Sequence, residues 1–346
     1  DWFADLNYGP AAEAEKSDAF KALTSAADKW INLGVDGFRL DAVKHIYHNA
    51  YSSENPMFLK KFYDRCNTTF KARGGNGDFY MVGEMLDDCD KVAPYYAGLP
   101  ALFEFSFWYK LKWALQNNTG LYFAHDIISM QSAYSQYRTD YIEATKLSNH
   151  DEDRAGSDLD KSKEKMKLAA AVLMTSQGHP YIYQGEELGY WGTKSRGDEY
   201  VRTPIIWDRS STNTATAGVN GKYDSGMLTK AMSVEAQSED NNSVLSVYRY
   251  FTKLRNAHPA LASGKMSRHP DYDENRQTDK NIAAWFIEGD GEKLLVVHNF
   301  GNTQYDAYFH DDLSQAIGLH GTASAYKTVD TWKLTLGAYS SVIFRQ

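Results

Sequence analysis

The sequence predicts an α/β protein with parallel strands, followed by a small antiparallel β-sandwich. Before about residue 262 of the 346, apolar runs typical of strands alternate with longer runs of helical periodicity, which indicates parallel strands joined by crossover helices. The rest of the chain holds only short strands separated by turns such as Gly289-Asp290-Gly291. The alternation alone leaves a doubly wound sheet and a (β/α)8 barrel as alternatives.

The first two predicted helices have clear start and stop signals. The first begins after Ser17, a favourable N-cap, and ends at Gly34. Its apolar side consists of Phe20, Leu23, Ala27 and Trp30. A strand follows at 35–41, and a second helix begins at Asn55-Pro56 and ends at Gly74-Gly75.

The later elements follow in the same order. Further strands are predicted at 79–84, 101–105, 141–147 and 181–183, and further helices from about Trp108 and at 162–176 and 244–257. We place a domain boundary near residue 262, so that 1–262 form the α/β domain and 263–346 the β-sandwich.

Composition and charge exclude some partners. Lys and Arg number 37 against 45 Asp and Glu, a net charge of −8, and no long basic cluster is present. This balance argues against a nucleic-acid partner, whose phosphates need basic residues. Aromatic residues make up 14% of this otherwise polar chain, which is typical of proteins with clefts where flat rings meet a ligand.

Three acidic residues follow the ends of predicted strands. Arg39 and Asp41 share one side of their strand because side chains alternate, and the guanidinium favours an ionised carboxylate beside it. Glu84 ends the next strand, and Asp151 follows the strand at 141–147. A barrel places its active site at this end of its strands. A structural ion pair between Arg39 and Asp41 is the alternative interpretation.

Six segments then resemble signature regions of the α-amylase family of glycoside hydrolases. They are Ala4-Asp5-Leu6-Asn7, Gly37-Phe38-Arg39-Leu40-Asp41-Ala42-Val43-Lys44-His45, Val82-Gly83-Glu84, Ser148-Asn149-His150-Asp151, Gly178-His179-Pro180-Tyr181-Ile182-Tyr183-Gln184-Gly185-Glu186-Glu187 and Arg202-Thr203-Pro204-Ile205-Ile206-Trp207-Asp208. Their number and order make the match specific. The resemblance implies a (β/α)8 TIM barrel of which this chain holds strands four to eight, with strands one to three in a missing N-terminal segment.

The same resemblance implies a retaining double displacement. Asp41 is the nucleophile, Glu84 the general acid and then base, and Asp151 the stabiliser of the transition state. Arg39 orients Asp41, and His150 binds the sugar on the non-reducing side of the scissile bond.

Lys44 and His45 resemble family residues that contact glucose on the reducing-end side, which favours internal cleavage of α-1,4 bonds. Starch, amylopectin and maltooligosaccharides are the implied substrates. A glucanotransferase and a non-catalytic glucan-binding barrel remain alternatives.

The resemblance also implies a calcium ion and a location. Asp5 matches a carboxylate ligand of Ca2+, and the backbone carbonyl of His45 matches another. Relatives of this kind lie at the cell surface on the outer membrane, with outer-membrane glucan-binding proteins as partners.

One further prediction comes from helical periodicity. Trp108, Leu111 and Leu115 form the apolar side of their helix, which leaves Trp113 on the opposite side. With Tyr122 and Asp126 nearby in sequence, Trp113 is a candidate for a flat secondary platform for glucan. An ordinary part-buried Trp is the alternative.

Overall fold

The computed structural model describes residues 5–208, 222–224, 226–272 and 279–346. Ala4, in the first of the six segments, lies outside the described residues. The chain divides into two compact units, one of Asp1–Ser106 and Ser129–Ala144 and the other of Phe107–Ile128 and Thr145–Gln346. We describe each unit by itself.

The helices and strands follow in chain order. The helices are α1 (Asp18–Asn32), α2 (Glu54–Ala72), α3 (Cys89–Val92), α4 (Phe105–Gln116), α5 (Phe123–Tyr134), α6 (Ala155–Asp158), α7 (Lys163–Thr175), α8 (Asp198–Val201), α9 (Val234–Glu239), α10 (Val244–Ala257) and α11 (Pro259–Ser263). The strands are β1 (Gly37–Leu40), β2 (Tyr80–Gly83), β3 (Ala101–Glu104), β4 (Ile142–Thr145), β5 (Lys265–Arg268), β6 (Ile282–Gly289), β7 (Glu292–Asn299), β8 (Tyr305–Phe309), β9 (Ala316–His320), β10 (Ala323–Lys327), β11 (Trp332–Leu336) and β12 (Ser341–Arg345). Short 3-10 helices occupy Ala11–Lys16, Val43–His45, Ala93–Ala97, Glu186–Leu188, Lys194–Arg196 and Lys230–Met232.

The first unit contains a sheet whose strands follow one another in chain order, β1-β2-β3-β4. β1 pairs with β2, and β2 with β3, in parallel. Sequential neighbours that run parallel are expected of one arc of a barrel, where each strand is followed by a crossover helix. β1 is the edge strand of this described sheet.

One sequence prediction needs correction, and one helix has no counterpart in the sequence analysis. The strand predicted at 181–183 is only an isolated parallel bridge between Lys146 and Tyr181, in which the Tyr181 N–H donates to Thr145 O at 2.7 Å. Helix α5 was not predicted at all. Its buried residues are Phe123, Ala124, Ile127, Met130 and Tyr134, a helical spacing that short polar interruptions obscure in the sequence.

Helix α7 of the second unit is deeply buried. Every residue from Met166 to Thr175 is buried, so the methionines and alanines of this run are packing residues. The Ser162 side chain caps the helix by accepting a hydrogen bond from Lys165 N at 3.3 Å.

The antiparallel β-sandwich predicted for the C-terminal part is confirmed. Five strands form one sheet in the order β5-β6-β7-β12-β9, and three form another in the order β10-β11-β8. Both sheets contribute to one buried cluster, whose members include Ile282, Phe286, Val297, Ala307, Phe309, Leu334 and Phe344. Asp290 and Gly291 both have positive φ, as a tight two-residue hairpin between β6 and β7 requires. No helix among the described residues is both long and apolar enough to cross a bilayer.

Candidate active site

The ends of β1 and β2 bring Arg39, Asp41 and Glu84 together. Leu40 lies opposite Gly83 in the parallel register, so Asp41 and Glu84 leave neighbouring strands at the same level. Arg39 Nη1 donates a hydrogen bond to Asp41 Oδ1, and Arg39 Nη2 lies 3.8 Å from Glu84 Oε2. One guanidinium therefore contacts both predicted catalytic carboxyls.

The backbone after β1 holds Glu84 in place. Ala42 adopts the left-handed conformation with φ 46 and ψ 47, and its N–H donates to Glu84 Oε2 at 2.8 Å. The Val43 N–H donates to Glu84 O at 3.0 Å, and the Glu84 N–H donates to Leu40 O at 2.8 Å. Uncommon backbone geometry of this kind clusters at functional sites.

The two carboxyls differ in exposure. The side chain of Asp41 is 74% exposed and that of Glu84 only 22%. An ion-paired carboxylate open to a ligand beside a largely covered carboxyl is an arrangement that suits a nucleophile and a proton donor.

Lys44 is held in a fixed position next to this pair. Its Nζ donates to Leu86 O at 2.6 Å and to Asp87 Oδ2 at 3.0 Å. Burial alone would raise the pKa of Asp87, but hydrogen bonds from Lys44, the Asp88 N–H and Tyr51 hold it below its ordinary value. His45 follows at the end of the 3-10 helix and is exposed.

Asp5 and His45 do not by themselves form a metal site. Their segments lie near each other, because the Tyr47 hydroxyl donates to Gly9 O at 3.0 Å. Among the described residues, no group of three His, Cys, Asp or Glu side chains is arranged to hold a metal ion. Since Ca2+ takes six to eight oxygen ligands, calcium binding at Asp5 and His45 stays a prediction.

In the second unit, Asp151 is surrounded by basic groups. Arg202 Nη2 lies 2.8 Å and Lys194 Nζ 3.5 Å from Asp151 Oδ1, and His150 Nε2 lies 2.9 Å from Oδ2. Arg202 Nε also donates to His150 O at 3.0 Å. The side chain of Asp151 remains half-exposed. The carboxylate is therefore oriented by its neighbours and still open to a ligand.

The turn that carries Asp151 is anchored on its C-terminal side by the next two acidic residues. Glu152 accepts hydrogen bonds from the buried Lys146 at 2.5 Å and from the Tyr109 hydroxyl at 2.9 Å. Asp153 Oδ1 accepts from Lys194 N at 2.6 Å. These hydrogen bonds hold the turn that carries Asp151.

Trp113 lies on α4, Asp126 lies on α5, and Tyr122 directly precedes α5. Trp113 is 55% and Tyr122 44% exposed. Lys110 Nζ joins the two helices through an ion pair with Asp126 Oδ2 at 2.8 Å. Trp113 is one turn beyond Lys110 on α4, and Tyr122 is one turn before Asp126, so each exposed ring lies one turn away from this ion pair.

Two residues of interest were not predicted as site residues. Arg202 contacts Asp151, and Glu186 is buried against Ser148 in the same turn. Both lie inside segments that resemble the amylase signatures, and this position is the sequence feature that could have marked them as site residues. Neither role can be derived from spacing, because each contact joins positions more than 35 residues apart.

Family models identify both parts of the chain. Residues 4–264 match the α-amylase catalytic domain, and residues 282–343 match the SusG C-terminal domain of α-amylases. The first match covers most of the chain. The protein therefore belongs to the α-amylase family, and its fold is that of the α-amylase TIM barrel with a C-terminal β-sandwich.

Individual relatives agree with this family. The chain is 54% identical over 346 residues to α-amylase SusG of Bacteroides thetaiotaomicron, a match that covers 100% of this chain and 49% of that protein. It is 32% identical over 318 residues to α-amylase 3 of Dictyoglomus thermophilum, with 91% of this chain and 59% of the relative covered. The chain thus spans about half the length of the first relative.

Solved structures show the same fold. The α-amylase from H. orenii superposes with a TM-score of 0.79 at 24% identity, covering 96% of this chain and 65% of that one. Eubacterium rectale Amy13B superposes with a TM-score of 0.77 at 24% identity, covering 99% and 64%.

Proposed function

We propose that the protein is an endo-acting α-amylase that hydrolyses α-1,4-glucosidic bonds in starch, amylopectin and maltooligosaccharides with retention of configuration. The observation that carries this proposal is the contact of Arg39 with both Asp41 and Glu84 at adjacent strand ends. Membership of the α-amylase family and the 54% identity to an α-amylase support it.

In the first step, an Asp41 oxygen attacks the anomeric carbon while the glycosidic C–O bond breaks. Glu84 gives its proton to the leaving oxygen, so that the departing chain leaves as an alcohol. Arg39 orients Asp41 through a hydrogen bond, and the Ala42 N–H fixes one oxygen of Glu84. Asp151 binds sugar hydroxyls as the ring flattens, with His150 beside it.

In the second step, Glu84 takes a proton from water, and the resulting hydroxide attacks the anomeric carbon. The ester bond to Asp41 breaks and the carboxylate is restored. Lys44 and His45 bind glucose on the reducing-end side. Because Asp87 and Leu86 O hold Lys44 in place, little side-chain entropy is lost when glucose binds.

The Asp41→Asn variant tests this function. We expect the release of reducing ends from soluble starch by the intact protein to fall by about 10⁴-fold or more, because the amide cannot form the glycosyl ester. Asp64→Asn, on the exposed surface of α2, is the control and keeps normal activity. Full activity of Asp41→Asn would contradict the proposal.

Product analysis separates hydrolysis from the alternatives. A glucanotransferase passes the glycosyl unit on Asp41 to a sugar hydroxyl, and lengthened or cyclic glucans would then replace new reducing ends. A non-catalytic glucan-binding barrel would bind starch and release nothing. The presence of Asp41, Glu84 and Asp151 in the chain favours catalysis over binding alone.

The proposal extends to an N-terminal segment of the same protein, which supplies barrel strands one to three. β1 is the edge strand of the described sheet. Because a closed barrel has no edge strands, we expect another strand to pair with β1. Oxygen ligands from that segment would complete a Ca2+ site with Asp5 and the His45 carbonyl. A cell-surface location on the outer membrane, with glucan-binding proteins there as partners, rests on the resemblance of the motifs.

We also propose that Trp113, Tyr122 and Asp126 form a secondary glucan platform outside the catalytic residues. The exposure of the Trp113 and Tyr122 rings supports this, since sugar rings stack on flat aromatic faces. Trp113→Ala should weaken binding of the intact protein to insoluble starch about tenfold and leave cleavage of short maltooligosaccharides unchanged. Trp30→Ala, which removes another exposed Trp, is the control. Unchanged starch binding by Trp113→Ala would contradict the platform.

A further inference from the structure

The Glu186 carboxylate is buried beside the turn that carries Asp151. Glu186 is 5% exposed and begins the 3-10 helix Glu186–Leu188 directly after Gly185, whose φ is 87. Its Oε2 accepts hydrogen bonds from Ser148 N at 3.1 Å and Ser148 Oγ at 2.7 Å. Its Oε1 accepts from the Tyr248 hydroxyl at 2.7 Å. The three hydrogen bonds to this carboxylate thus come from two residues, Ser148 and Tyr248.

These bonds connect helix α10 to the turn at residues 148–151. Tyr248 is a buried residue of α10, and Ser148 lies three positions before Asp151. Within the turn, the Asp151 N–H donates to Asn149 Oδ1 at 2.8 Å. Ser148 and Asp151 therefore belong to one short turn, which Glu186 holds through Ser148.

We propose that Glu186 is a positioning residue for Asp151, and that its ionised form holds the turn while its protonated form partly releases it. This inference rests on the proposed hydrolysis, in which Asp151 stabilises the transition state. The activity of the enzyme then depends on the charge of Glu186, which takes no part in the chemical steps themselves.

Hydrogen-bond chemistry gives the direction of the effect. An ionised carboxylate only accepts, so it satisfies Ser148 N, Ser148 Oγ and the Tyr248 hydroxyl together. Protonation adds a fourth hydrogen to this buried space, and one hydroxyl must then turn or lose its acceptor. Bonds to a charged acceptor are also about twice as strong as neutral ones. The protonated carboxyl therefore holds Ser148 less firmly.

Glu186 is expected to change its charge near neutral pH. Burial raises the pKa of Glu186 to about 7, while the hydrogen bonds from Tyr248 and Ser148 oppose that rise and the neighbouring Glu187 adds to it. Two other groups that face it stay in one state near neutral pH. Tyr248 stays neutral, because burial raises its pKa well above the ordinary value. Arg154 keeps its positive charge, although burial lowers its pKa. Burial also raises the pKa of Glu187, so a variant of Glu187 is needed to separate its titration from that of Glu186.

Stability and activity should respond to this titration in opposite directions. Because the folded-state pKa lies above the ordinary value of a Glu, its contribution to stability is present at low pH and is lost as the pH rises through about 7. Activity should instead rise with pH over the same interval, as the ionised carboxylate takes hold of Ser148. A purely structural role would make activity follow stability.

Glu186→Gln in the intact protein, with Glu187→Gln as the matched control, tests the inference. Glutamine keeps the size of the side chain but never ionises. We expect kcat on soluble starch to fall about fivefold at about pH 8, with little change in KM. The acidic limb of the kcat profile near pH 7 should disappear, and Tm should depend less on pH. Glu187→Gln should retain the limb. A normal kcat and an unchanged limb in Glu186→Gln, with only the Tm profile altered, would overturn the inference.

Hydrogen exchange in the unmodified protein gives a second readout that needs neither a variant nor catalysis. The protection factor of the Ser148 amide, corrected for intrinsic exchange, should fall about fivefold between about pH 8 and about pH 6. Constant protection across this interval would also overturn the inference. If the unmodified protein releases no reducing ends from starch, the proposed function fails, and the exchange experiment still decides the role of Glu186 in holding the turn.

Discussion

At the scale of single residues, the site depends on an uncommon backbone conformation. Ala42 has φ 46, although a left-handed conformation costs a residue with a Cβ roughly 1–2 kcal/mol. The conformation points the Ala42 N–H at Glu84 Oε2, 2.8 Å away. The conformation of Ala42 therefore lowers the stability of the folded protein, but it places a hydrogen-bond donor beside the predicted acid Glu84.

Ala42→Gly should release this strain. Glycine enters the left-handed region freely but loses more chain entropy on folding, so we expect a net stabilisation of about 0.5–1 kcal/mol. Chemical denaturation of the intact protein measures the change. The exposed Ala26 in α1 is the control, because Ala26→Gly should destabilise its helix by about 1 kcal/mol. Equal losses in both variants would show that Ala42 is unstrained.

Gly83, directly before Glu84, illustrates another residue-scale constraint. A Cβ built at this position would lie 2.6 Å from Leu99 Cδ1 and 3.0 Å from Leu102 Cδ2. Glycine is therefore needed for close packing here, since the side chains of Leu99 and Leu102 would have to move. The sequence places Gly83 in a recognisable motif, but only the packing explains it.

At the scale of elements, the layer formed by β3, β4 and α5 contains buried carboxyls away from the predicted catalytic residues. Glu104 and Glu143 are each 2% exposed. The Tyr134 hydroxyl donates to Glu104, and Gln131 Nε2 donates to Glu143 Oε2 at 3.0 Å. Burial raises the pKa of Glu143 well above its ordinary value, and the nearby Glu104 raises it further.

Stability of the protein should therefore decrease with rising pH through the titration of Glu143. The folded state holds a proton on Glu143 at pH values where the unfolded chain has lost it, so unfolding releases a proton and is favoured at higher pH. Glu143→Gln should remove this contribution, which amounts to at most about 1.4 kcal/mol per pH unit. Urea unfolding at several pH values measures the slope. Glu13→Gln on the exposed surface should leave it unchanged, and an unaltered slope in Glu143→Gln would count against a protonated Glu143.

Element boundaries show where sequence periodicity succeeds and fails. α10 was predicted at 244–257 and is observed at Val244–Ala257, because its N-cap Ser243 and its amphipathic spacing are local signals. α5 was missed, since its start follows a turn in which Tyr122 takes a positive φ that the sequence does not signal. The strand predicted at 181–183 became one bridge because pairing depends on partners elsewhere.

At the scale of the whole molecule, calcium is expected to join segments that are distant in sequence. Addition of a chelator to the intact protein should lower Tm, because Ca2+ that binds only the folded state stabilises it by about 2.7 kcal/mol at a hundredfold excess over Kd. Asp5→Asn should reduce this response, and the surface change Asp64→Asn should not. An identical Tm with Ca2+ and with chelator would contradict a calcium site.

The sequence by itself determined the fold class, the family and the identity of the candidate acids. Asp41, Glu84 and Asp151 can be found as residues that follow predicted strands, because periodicity and short motifs can be read from the sequence alone. The antiparallel sandwich likewise follows from alternation and from the turn at Asp290-Gly291. These features depend on neighbours a few residues apart.

Only the tertiary structure decided which side chains support those acids. The contact of Arg202 with Asp151, the burial of Glu186 against Ser148 and the hold of Asp87 on Lys44 each join residues more than 35 positions apart. Burial also decides the charge of Glu186, because the same carboxyl in an exposed helix would be ionised at neutral pH. Desolvation and long-range hydrogen bonding are properties of the folded chain, and no local pattern encodes them.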